Sequence, residues 1–151
     1  CHRRVVPAVS RATRPLLLGL AGLAATAGLA AATQHWQERA RWQEAGQALY
    51  EGSRPLTARL VGHEQDLPPQ ATRCVNCHSG SSAIAPALTP ERLTRHLPRR
   101  GGPPSRYDEA SFCRLLRSGV DPAWVLLPRA MPRYTLPDRE CRELWLALST
   151  R

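Results

Sequence analysis

Lysine is absent from this chain: all 21 basic residues are Arg, against 12 acidic ones. Ala, Leu, Pro and Arg dominate, so the Arg excess reads as the compositional bias of a GC-rich genome. A nucleic-acid partner does not follow from it. Aromatic residues make up only 5%, with a single Phe, while Pro reaches 14 and Gly 10. A bare polypeptide of this kind builds a thin core, which a large apolar prosthetic group would repair. Convincing strand patterns, internal repeats and low-complexity tracts are also missing. There is one Met, Met131, and so one thioether sulfur in 151 residues.

Against these shortages, two of the five cysteines stand together in "RCVNCHSG" at 73–80. The spacing C-x-x-C-H suits covalent haem attachment. Cys74 and Cys77 each form a thioether to a haem vinyl group in this reading, and His78 gives an imidazole nitrogen to the iron. A zinc ribbon would need four ligands, usually two C-x-x-C knuckles, and Cys113 and Cys141 are isolated. A thioredoxin-type pair would need a βαβ pattern around the motif, and none is visible.

The haem reading demands a sixth iron ligand. Met131, in "RAMPRY", lies 53 residues after His78 in a Pro-flanked loop. A lone Met more often fills a gap in a core, but beside this motif axial ligation is the expected role. His63, in the loop before the motif, and His96, on a polar helix face, are the rivals. The second ring nitrogen of His78 should be tied down to fix its tautomer. A backbone carbonyl in "IAPAL", at Pro86, is the candidate acceptor.

Residues 1–14 carry four Arg and no acid, and residues 15–33, "PLLLGLAGLAATAGLAAAT", carry no charge. As a helix the latter span roughly 28 Å, about the thickness of a bilayer core. The expectation is a cytoplasmic segment 1–14, a transmembrane anchor 15–33 and a periplasmic domain 34–151. A cleaved signal peptide, with Ala30 and Ala32 in an A-x-A arrangement, is the competing reading. An acylated Cys1 is a third, made redundant by a spanning helix behind it. Gly19, Gly22, Thr26 and Gly28 give the anchor a small-residue face for packing on other membrane helices. Trp36 and Trp42 follow at headgroup depth.

Beyond the anchor the spacing predicts a helix over 34–50, with the Pro-free stretch 16–53 letting the anchor helix run straight on into it, then a loop over 52–73 with one short turn. A helix over 89–97 has Thr89 as N-cap and Pro90 at its first position. A helix over 107–119 places Phe112, Leu115 and Leu116 on one face and ends at Gly119. A terminal helix covers 138–151, with Asp138 as its cap. Cys113 and Cys141 fall on these last two helices. In an oxidising compartment they could pair around Met131, or stay as two small buried thiols.

From about Gly46 to Arg151 the chain resembles the class I c-type cytochromes. "CVNCH", "APAL" and "LLRSGVDP…AMPRYTLPDRECRELWLAL" follow the family's order. It is similar to the single-haem domains that serve as subunits of membrane dehydrogenases and oxidases. The resemblance implies an all-α class I cytochrome c domain around one covalent haem c, behind the transmembrane helix. It puts Pro86 and Tyr134 among the haem surroundings. It also implies a first helix crossing the last one, with Gly46 and Tyr50 meeting Leu144 or Trp145. Residues 51–73 are longer than the family's usual connection, which suggests a docking loop or a lid. The implied function is one-electron transfer, not catalysis, as part of a respiratory or dehydrogenase complex in the inner membrane. The expected partners are the bilayer and a membrane-embedded or membrane-docked redox protein, with no nucleic acid and no small-molecule substrate. Residues 34–151 carry 17 Arg against 12 acids, which favours an acidic partner. A haem-bearing sensor or assembly subunit with a displaceable Met131 is the alternative.

Overall fold

The computed structural model describes the backbone of residues 14–150 and the side chains of residues 32–150. The readings of residues 1–13, Cys1 included, and of the side chains of 14–31 lie outside the described residues. The chain divides into two units between Arg39 and Ala40.

One long helix, α1, runs over Arg14–Glu51. In the first unit its side chains from 32 to 39 are exposed, and the Trp36 ring meets His35 edge-on. The expected fold is corrected here. Among the described residues no helix is long and apolar enough to cross a membrane. The part of α1 whose side chains are described, from Ala32 onward, is polar and carries Glu38, Arg39, Arg41 and Glu44, each of which would demand desolvation in a bilayer.

In the second unit the C-terminal turns of α1 lie against the last helix, α5 (Asp138–Ser149). A β-carbon on Gly46 would stand 1.9 Å from the Glu143 carbonyl oxygen and 2.8 Å from the Ala147 β-carbon. Glycine is therefore what lets the two backbones touch. The crossing is the expected one: the atoms nearest Gly46 belong to Glu143 and Ala147, and Tyr50 shares the core with Leu144 and Trp145. Arg54 clamps the same region by reaching Glu140 at 2.7 Å and the buried Glu143 at 2.5 Å. Trp42 packs in this unit too, beneath the Arg139 guanidinium.

Two short helices follow: α2 (Val75–His78), which carries the haem-type motif, and α3 (Pro90–Thr94). Thr89 caps α3, its side chain accepting from the Arg92 N–H. The helix stops at Thr94, where Arg95 turns extended, so His96 does not sit on it. Helix α4 (Glu109–Ser118) begins with a capping box between Asp108 and Ser111 and ends at Gly119 with φ 75°. It carries Phe112, Leu115 and Leu116 into the core on one face, as the spacing predicts. Pro137, not Asp138, occupies the cap position of α5. The Asp138 carboxylate instead takes a hydrogen bond from Arg117 at 2.6 Å.

The all-α expectation also misses a two-stranded antiparallel ladder. Strand β1 (Thr57–Arg59) pairs with β2 (Arg133–Thr135), with Ala58 opposite Tyr134. The 51–73 segment is therefore partly ordered, and a 3-10 turn over Pro69–Thr72 leads it into the motif. One apolar core gathers Leu49, Tyr50, Leu93, Phe112, Leu115, Leu116, Leu144 and Leu148, with Met131 packed half-buried against it.

Candidate haem-attachment site

The local fold of "CVNCH" follows from one turn of helix. The Cys77 and His78 amides both bond to the Cys74 carbonyl, at 3.2 and 3.0 Å. Positions i, i+3 and i+4 share a helix face, so Cys74, Cys77 and His78 fall on one side. Both cysteines are free thiols; Cys74 is buried and Cys77 half-buried. Burial pushes the Cys74 thiol up to about 11, a shift that contact with the Tyr134 hydroxyl only partly offsets. Cys74 therefore stands as a neutral thiol at physiological pH.

His78 shows the most informative geometry. Its Nδ1 lies 2.7 Å from the Pro86 carbonyl oxygen. A carbonyl can only accept, so Nδ1 carries a proton, and in the neutral ring it is Nε2 that has the lone pair. Nε2 is buried and has no hydrogen-bond partner among the described residues. A buried nitrogen base without a donor is costly unless something else takes its electron pair. The Ala85 amide, bonded to the Cys77 carbonyl at 3.0 Å, holds the "IAPAL" loop against the turn.

The single Met sits in a tight turn. Its amide bonds to the Pro128 carbonyl at 3.1 Å, and its carbonyl accepts from Arg133 at 2.6 Å. Arg133 also reaches the Leu127 carbonyl at 3.3 Å. Its guanidinium passes through the space that a side chain on Gly119 would fill: a β-carbon there would lie 2.1 Å from Cζ. The rivals for the sixth position, His63 and His96, are both exposed. Tyr134 is buried and donates to the Thr72 carbonyl at 3.1 Å.

Cys113 and Cys141 are joined in a disulfide with their α-carbons 5.8 Å apart. It ties α4 to α5 and closes a loop that contains Met131. Among the described residues no group of three or more His, Cys, Asp and Glu side chains is arranged to hold a metal ion between them. The donor set that exists, two thiols, one oriented imidazole and one thioether, fits a covalent haem.

No family model, curated protein or solved structure matches the chain. Its chemistry is therefore read from its own side chains.

Two groups escaped sequence reasoning. Arg99 is buried, donates to the Arg92 carbonyl at 2.6 Å and lies over the Tyr107 ring at 4.8 Å. Its Nε has no partner among the described residues, which leaves a buried cation able to receive an anionic group. Nothing in "LPRRGGPP" separates Arg99 from the Arg beside it. The second is Asp121, fully buried, whose Oδ1 accepts from the Ala123 and Val125 amides. It closes the "VDPAWV" turn, in which Trp124 has φ 62° and lies under the Arg114 guanidinium. The D-P pair is the only sequence hint of that turn.

Proposed function

We propose that this protein is a c-type cytochrome whose function is one-electron transfer. The observation that carries the reading is His78, with Nδ1 held by the Pro86 carbonyl and Nε2 buried without a donor. That is the arrangement a histidine ligand needs, since the second nitrogen fixes the tautomer and the first presents its lone pair. When bound, haem c supplies an iron that cycles between ferric and ferrous states.

The chain's own residues do the rest. Cys74 and Cys77 tether the group, so it cannot be lost between electron exchanges. His78 presents a strong nitrogen donor, and the Pro86 carbonyl keeps its ring from rotating. Met131 offers a neutral, soft sulfur, which holds the potential on the high side for cytochromes. The reading makes this a carrier rather than an enzyme. A disulfide in the core suits an oxidising compartment outside the cytoplasm. The excess of Arg over acidic residues in 34–151 suits a redox partner with an acidic face.

Denaturing electrophoresis with a peroxidase stain tests the reading. A haem-positive band at the mass of the chain is expected, and Cys77→Ala should abolish or greatly weaken it. A chain whose haem washes out in acidic acetone is not a c-type cytochrome.

A further inference from the structure

The turn that carries Met131 is shaped locally, by the Pro128 carbonyl and by Arg133. Shape alone does not place a turn relative to the haem-attachment residues 53 positions earlier. Tyr134 makes that longer connection. It lies in β2, three residues beyond Met131, and is 6% exposed. Its backbone faces Ala58 of β1. Its hydroxyl donates to the Thr72 carbonyl, 62 residues away in sequence, and contacts the Cys74 thiol. Thr72 is itself fixed: it is 1% exposed, and its hydroxyl donates to the Pro69 carbonyl at 2.9 Å. One side chain thus joins the entry to the attachment motif, the first attachment cysteine and the strand that leaves Met131.

We propose that Tyr134 is a positioning residue for the sixth ligand: its hydroxyl, braced by β1, holds the Met131 turn in register with the haem-attachment turn. The inference rests on the cytochrome reading and extends it. A thioether is a weak donor and exchanges when its loop swings out, so retention of the sulfur depends on how firmly that loop is fixed. Partners beyond the ligands themselves commonly change metal-site affinity by about 10–100-fold. The hydroxyl does this work and not the ring, because the ring would fill the core equally well without it. The strand pair gives the 51–73 segment a part in the brace, since Ala58 of β1 stands opposite Tyr134.

The test is ligand exchange in the haem-loaded full chain, with imidazole as the probe and loss of the ferric methionine–iron band near roughly 695 nm as the readout. Tyr134→Phe keeps the ring and removes the hydroxyl. It is expected to carry haem as the wild type does and to lose the band to imidazole about tenfold faster. Leu148→Ala is the companion variant. It weakens the core from α5 without touching the hydroxyl, and its exchange rate should stay close to wild type. A Tyr134→Phe variant that exchanges at the wild-type rate overturns the inference, and so does a Leu148→Ala variant that exchanges as fast as Tyr134→Phe. Those results would leave the cytochrome reading intact. A wild-type chain with no haem-positive band would overturn both.

Discussion

Gly46 and the Glu143 carbonyl stand so close that no β-carbon fits between them; it would lie 1.9 Å from the oxygen. The obstacle is backbone in α5, not a side chain that could move. Gly46→Ala must therefore push the two helices apart. We expect a loss of about 1–3 kcal/mol, the usual cost of overpacking. Urea unfolding followed by circular dichroism reads it, and an unchanged midpoint would show that the crossing has slack.

Removing the Cys113–Cys141 bridge tests how much of the fold is stapled. The bridge spans 28 residues, for which chain entropy gives about 3.6 kcal/mol. Cys113→Ala with Cys141→Ala should unfold at correspondingly lower urea. On the proposed cytochrome reading it should still carry covalent haem, because Cys74 and Cys77 are a separate pair. A haem-free double variant with a wild-type midpoint would contradict both statements.

Met131→Ala removes the only thioether of the chain. On the proposed cytochrome reading the haem should stay attached, the band near roughly 695 nm should vanish, and the ferrous form should bind carbon monoxide. If the ferric spectrum does not change, another residue ligates. His63 and His96 are both exposed, so a segment would have to move to bring either one in.

Acid stability has one traceable contributor at the start of α4. The Ser111 hydroxyl, and then its backbone N–H, hold the Asp108 carboxyl below its ordinary value of 3.8. A depressed carboxylate adds stability that is complete above the unfolded pKa and is lost as the pH falls through the folded one. Asp108→Asn keeps an N-cap acceptor without the charge. It should be little destabilised at neutral pH, and its stability should fall less steeply below about pH 4. Parallel urea titrations of both proteins across that range decide the matter.

Legibility from sequence followed the range of the interactions. "CVNCH" could be read because its geometry is contained in one helical turn, and the Pro86 carbonyl because it lies only eight residues from His78. The caps at Thr89 and Gly119 are local as well. The β1–β2 pair was invisible: each strand has three residues, too few for an alternating pattern, and Ala58 and Tyr134 are far apart in the chain. Asp138 looked like a cap by residue type, but Arg117, from α4, takes its carboxylate. The run of the N-terminal helix through 34–50 was legible from the Pro-free stretch 16–53, and one helix does continue to Glu51. The expected transmembrane span is not found: among the described residues no helix is long and apolar enough to cross a membrane.

The guanidinium of Arg133 runs through the place where residue 119 would otherwise have a side chain. The same glycine, at φ 75°, ends α4. The stop signal of a helix and the support of a distant turn are thus the same missing methyl group. Gly119→Ala would strain the helix end and also dislodge Arg133 from the Met131 and Leu127 carbonyls. In a random mutagenesis screen scored by colour, changes at 119 should therefore cluster with changes at 131, twelve positions down the chain, rather than with lesions of the helix that 119 terminates.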